Sequence, residues 1–131
     1  MSTIKADNIA TLAGVSTSMA NAVNGSAKAW VNFDGQFGTS PYTIANGGIR
    51  AAYNVSSVTD IGTGRWQVNI TTPISTSDYA ILCTIRQSGT NNNQRVYEAS
   101  TITKTASAYG IASDDGGSYS DFAYVYSAVF A

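Results

Sequence analysis

The chain has 131 residues, a formal net charge of −1 and no histidine. That length suits one ordinary domain, and the missing imidazole removes Ser-His-Asp and Cys-His catalysis and most zinc sites. Only 11% of residues are charged, against the usual share of about 25%, so part of the surface is expected to be covered by other copies or a partner, a neutral hydroxyl-rich exterior being the alternative.

The scattered Lys and Arg form no basic patch, which argues against electrostatic binding of nucleic acid or insertion into anionic membranes. No apolar run approaches the ~20 residues needed to span a bilayer. The N-terminus has no apolar core of signal-peptide type, so synthesis in a cytosol is expected. Cys83 is the only cysteine; set among Tyr79, Ile81, Leu82 and Ile85, it reads as a buried, inert thiol.

In chain order, residues 1–26 come first. Val15, Met19, Ala22 and Val23 have helical spacing with caps at Ser16 and Thr17, which predicts a short helix near 16–24. Its apolar face is too small to stabilise it alone, so the segment is expected to pack on neighbouring subunits, packing on its own domain being the alternative.

From Ala27 onward the pattern is β. Ile49, Ala51, Tyr53 and Val55 alternate with Arg50, Asn54 and Ser56; Trp66, Val68 and Ile70 alternate with Arg65, Gln67 and Asn69. Asp60, Gly62 and Gly64 lie between these runs and reverse the chain, which predicts a hairpin. Pro73 and the polar run 75–78 end that strand. Strands over 79–86, 95–104 and 109–113 follow, separated by a polar loop at 88–94 and closed by a turn at 114–118.

The last strand, 121–130, carries Phe122, Tyr124, Tyr126, Ala128 and Phe130 on one face and Ala123, Val125, Ser127 and Val129 on the other. Apolar on both sides, it should be central or lie at a subunit contact, with Val125 and Val129 as candidate interface residues. Seven or so short strands with frequent turns predict an all-β fold, an antiparallel β-sandwich of jelly-roll-like type with a short N-terminal arm.

The acidic residues sit mostly in turns, so paired-carboxylate glycosidase chemistry gives way to turn and cap roles. No phosphate-cradling glycine loop is present. No catalytic residue and no cofactor are assigned. Asp114, Asp115 and Asp121 offer oxygens to Ca²⁺, but without the alternating spacing of a calcium loop they read as a tight turn, and no metal is assigned. Aromatics beside polar loops suggest sugar stacking, with Tyr42, Trp66, Tyr97, Tyr109 and Tyr119 as candidates; Trp30 and Trp66 read better as core or interface. The candidate ligand-binding residues are Asn91, Asn92, Asn93, Asp114, Asp115 and Tyr119, against a merely solvated pair of loop tips.

The stretch 27–71 reads Ala27-Lys28-Ala29-Trp30-Val31-Asn32-Phe33, a glycine-containing loop, Ile49-Arg50-Ala51-Ala52-Tyr53-Asn54-Val55-Ser56-Ser57-Val58-Thr59-Asp60, and Gly62-Thr63-Gly64 before an aromatic-led strand. It resembles the β-rich module of bacteriophage tail-fibre and other virion appendage proteins, particularly of phages of marine bacteria and cyanobacteria. Ile61 and Arg65-Trp66-Gln67 depart from that family's usual residues, which bears on the hairpin's surface chemistry. About a third of the chain is covered.

The resemblance implies a non-enzymatic virion structural protein with homotrimeric assembly, 1–26 as the attachment arm toward other virion proteins and 27–131 as the exposed domain. Host-surface adhesion, through a glycan, is its implied activity. Two rivals stand beside it: a capsid decoration, cement or head-fibre protein, and a free carbohydrate-binding module.

Overall fold

The computed structural model describes residues 7–10, 16–18, 22–23, 25–86 and 93–131. Every named element is a strand: β1 (Asn8–Ala10), β2 (Ser16–Ser18), β3 (Ala29–Phe33), β4 (Ile49–Tyr53), β5 (Val55–Gly62), β6 (Arg65–Ile70), β7 (Ala80–Ile85), β8 (Gln94–Glu98), β9 (Ala108–Asp115), β10 (Ser118–Tyr119) and β11 (Val125–Phe130). Nine of them build two antiparallel sheets packed face to face, the all-β sandwich that the alternation predicts.

One sheet has the order β4-β3-β11-β7. In the other, β5 pairs β6 and β6 pairs β9; the far end of β9 then meets β10 in a hairpin, while its opposite edge takes β8. β11 is central, one of the two places expected for a strand apolar on both faces: β3 lies on one side and β7 on the other.

The expected hairpin exists, but its first arm is β5, not the run from Ile49 to Val55. The run breaks at Asn54, which takes the left-handed conformation at φ 54°. Asparagine tolerates that region because its short amide bonds locally. Its Nδ2 donates to the carbonyls of Lys28 and Thr72, both at 3.0 Å, and its Oδ1 accepts from the Thr72 amide at 2.7 Å. The bend carries the chain from one sheet to the other. At the hairpin tip Gly64 has φ 64°, and a Cβ there would lie 2.5 Å from the Ser113 carbonyl oxygen, so only glycine fits.

The core is filled by the inward residues of both sheets. Phe33 meets Trp66 edge-on at 5.4 Å, and the Tyr109 hydroxyl bonds the Ser127 hydroxyl across the sheets at 2.7 Å. Burial pushes the tyrosine pKa values up: Tyr42 to about 12, by burial and then Asp60; Tyr79 to about 12, by burial and then Glu98; and Tyr109 above the ordinary range, chiefly by burial.

Three expectations are corrected. Val125 and Val129 are fully enclosed in this core, 0% exposed, and are not interface residues of the folded chain; strand alternation points them at the opposite sheet. The strand expected over 95–104 ends at Glu98, because the chain then turns so that Ile102 covers Gly110 of β9, where a Cβ would lie 2.5 Å from the Ile102 Cβ. Ser16–Ser18 is not the first turn of a helix: it is extended and pairs with Asn8–Ala10 in a two-stranded sheet of its own. Short hydroxyl residues compete with helical hydrogen bonds; of the remaining window only Ala22 and Val23 are described, and both are helical as expected.

Candidate functional site

A sandwich has two outward faces, and here they differ in kind. On the β4-β3-β11-β7 sheet the register sets Tyr53, Trp30, Ala128 and Leu82 in one cross-strand row. Tyr53 is 58% and Leu82 61% exposed, with Trp30 also exposed. The next row is Ala51, Asn32, Tyr126 and Thr84. A groove runs between Trp30 and Leu82 over the small Ala128, lined also by Ala51, Thr84 and Tyr126. Arg50 is the only charged residue in these four strands. It sits at one end, paired with Asp34 at 2.9 Å and lying over the Tyr124 ring at 4.2 Å.

Large exposed apolar patches of this kind mark interaction surfaces. Of the two tryptophans read as core or interface, Trp66 lies in the core and Trp30 is exposed. Cys83 points inward opposite Ser127, half-buried, and burial, then Glu98, pushes its thiol pKa up.

The outward face of the other sheet is polar and aromatic. Three rows can be followed: Tyr119, Asp114, Arg95; then Gly62, Arg65, Ala112, Tyr97; then Thr59, Gln67, Gly110. Asp114 is almost enclosed. It accepts from Arg95 Nε at 3.0 Å and the Gly117 amide at 3.3 Å. Burial pulls its carboxyl up, but these donors outweigh that and hold it below the ordinary carboxylate range. The Arg65 guanidinium lies 5.0 Å over the Tyr119 ring. Farther along, Gln67 Nε2 donates to Asn69 Oδ1 at 2.8 Å, and Asn69 Nδ2 donates to Ser57 Oγ and Thr59 Oγ1, both at 3.0 Å.

The structure therefore brings Asp114 and Tyr119 together and adds Tyr97, Arg65 and Arg95, three residues whose strand register had to be known first. Tyr97 was among the sugar-stacking candidates and stays one, as does Tyr119; Tyr42, Trp66 and Tyr109 are core residues and drop out. Asn93 is exposed and its carbonyl accepts from the Gly116 amide at 3.2 Å, beside the Asp115 turn. Asn91 and Asn92 lie outside the described residues.

Among the described residues no group of three or more His, Cys, Asp or Glu could hold a metal ion. Of the carboxylates read as parts of a tight turn, Asp114 is engaged as above and Asp121 accepts from the Gly64 amide at 2.6 Å. Among the described residues no helix is long and apolar enough to cross a membrane.

A separate cleft opens at the sheet corner, lined by Lys28, Tyr53, Asn54, Thr72 and Ser75. Its lysine is turned onto the Val23 carbonyl. The chain matches no family model, and no curated protein or solved structure matches it significantly.

Proposed function

We propose that this chain is a structural subunit of a bacteriophage virion, a β-sandwich displayed on the particle as a homo-oligomer, homotrimeric by analogy with the appendages it resembles, that serves adhesion to the host surface. The observation that carries the reading is the uncharged apolar face of Tyr53, Trp30, Ala128 and Leu82. In an assembly around a symmetry axis, residues near the axis meet their own copies. A charged face would repel itself there, and a neutral apolar one associates.

The resembling stretch supports the same reading. It spans β3, β4, β5 and β6 and includes the Asn54 bend between the sheets, so the matching residues are those that set the backbone path. Residues 1–26 are proposed as the attachment arm, with 27–131 as the displayed domain. An isolated two-stranded sheet is marginal in water, and β1 with β2 forms one that belongs to neither sheet of the sandwich; docking on another virion protein would stabilise it.

That arm also favours a second reading, a capsid decoration or head-fibre protein clamped to the shell by 1–26. Antibody labelling of intact virions, seen by electron microscopy, separates the two. Label at the tail supports the appendage, label over the head supports the decoration protein, and unlabelled particles contradict both.

A further inference from the structure

We infer that the outward face of the β5-β6-β9-β8 sheet binds a saccharide that carries an acidic group, with Tyr97 and Tyr119 as stacking platforms and Arg65 as the cation that meets the acid. The inference deepens the proposed adhesion by naming its ligand class, and it rests on that reading only for where the saccharide comes from.

Two tyrosines lie exposed on this face, Tyr97 at 39% and Tyr119 at 46%. Both stand on strands, β8 and β10, and not in loose loop tips. Both rings stand beside charged groups: Tyr97 is on the outward side of β8, diagonal to Asp114, and Tyr119 lies under Arg65 at 5.0 Å. A ring fixed before binding loses little entropy on stacking. The C–H face of a pyranose is the apolar surface that such a ring covers.

The cations are not equivalent. Arg95 is already paired with Asp114 at 2.9 Å. Among the described residues Arg65 is in no ion pair, and its Nε is enclosed without a hydrogen-bond partner. Arg65 is therefore a guanidinium lacking a carboxylate, held beside two platforms, and a guanidinium matches a carboxylate or sulfate with paired donors.

From Arg65, β6 runs about 14 Å to Asn69 at ~3.4 Å per residue. Over that length Gln67, Asn69, Ser57 and Thr59 hold one another in a fixed hydrogen-bonded array. The Gln67 carbonyl and the two hydroxyl protons stay available to sugar hydroxyls. Single-stranded nucleic acid also stacks on tyrosine, but it needs a run of cations along its backbone. Among the described residues this face offers one unpaired arginine beside one acidic residue, Asp114, itself paired with Arg95, which suits an acid on one sugar in several.

The test is binding of the full-length protein to immobilised alginate and dextran sulfate, with dextran, polyglutamate and single-stranded DNA as comparisons. The expected result is binding to at least one acidic polysaccharide, weakened by salt, with dextran, polyglutamate and DNA at least tenfold weaker. Arg65→Gln, Tyr97→Ala and Tyr119→Ala should each lower that binding about tenfold or more with melting temperatures nearly unchanged. Arg86→Gln, at a stacked arginine over Tyr124 and outside this face, should leave it unaltered.

Failure to bind either acidic polysaccharide overturns the inference, as does equal binding of polyglutamate or DNA, or binding that Arg65→Gln leaves intact. None of those failures touches the virion assignment, which particle labelling decides separately.

Discussion

The two outward faces of the sandwich come from the same strand alternation yet carry opposite chemistry. The four strands under Trp30 and Leu82 hold one charged residue, Arg50, whereas the strands of the other face hold Asp60, Arg65, Arg95, Glu98, Asp114 and Asp115. Both faces cover one shared core, so packing cannot account for the difference. A surface that only had to stay in water would be mixed on both sides. The segregation suits one face that is covered by other copies and one that remains exposed for a ligand.

The sharpest contrast is between two tryptophans. Trp66→Ala should cost about 3–5 kcal/mol, because the ring is enclosed against Phe33 and its loss leaves a cavity. Trp30→Ala should change the stability of the monomer by about 1 kcal/mol or less, as exposed substitutions do. Chemical denaturation at low concentration measures both. Val125→Asp belongs with Trp66: a lone charge placed in the core should prevent folding, where a change on an outward face would not.

The joint between the faces is Asn54. Asn54→Ala should cost about 4–5 kcal/mol, from left-handed strain of roughly 1–2 kcal/mol and three lost hydrogen bonds of ~1 kcal/mol each. Asn54→Gly keeps the backbone conformation and should cost less. If alanine and glycine proved equal, the positive φ would not matter to the bend.

Titration separates inside from outside. Tyr42 and Tyr79 have folded pKa values near 12, above the ordinary value of 10.0. A raised folded value stabilises fully below pH 10 and is lost as pH climbs toward 12. Stability should therefore hold to about pH 10 and then fall, with tyrosinate absorbance of these two and Tyr109 appearing late. Asp114 works in the other direction. Its lowered value contributes stability above the ordinary carboxylate range, lost as pH falls through the folded value. Asp114→Asn should flatten the acid limb of the stability profile.

The smallest effect is at Cys83. Its inward direction and raised pKa predict slow reaction with a thiol reagent in the native state and fast reaction after denaturation. A cysteine placed one residue earlier, by Leu82→Cys, faces outward and should react fast in the monomer and slowly in the assembly.

Alternation made the sandwich legible in the sequence: the inward set of β6, Trp66, Val68 and Ile70, read directly, and a central place was one of the two expected for β11. The assignment of strands to sheets was less legible. Ile49 to Val55 reads as one arm of a hairpin, and only the φ of Asn54, a local choice stabilised by contacts with Lys28 and Thr72, sends its two halves to different sheets. The candidate site was half legible. Asp114 and Tyr119 are close in sequence, but Arg65, Arg95 and Tyr97 reach them through cross-strand pairing, which spacing along the chain does not encode. The same holds for the apolar face. Trp30, Tyr53, Leu82 and Ala128 are spread over about a hundred residues, and the interface residues expected from β11 were those of its inner face.

Light scattering over a dilution series from about 100 μM tests the central claim, the difference between the faces. Leu82 and Ile44 are equally exposed at 61%, but only Leu82 lies on the uncharged face. The wild-type protein and Ile44→Asp should show the same oligomeric mass, while Leu82→Asp should fall to the monomer mass with an unchanged melting temperature. An oligomer that survives Leu82→Asp would remove this face from the assembly, and a wild-type protein that is monomeric at 100 μM would contradict the account of the covered face altogether.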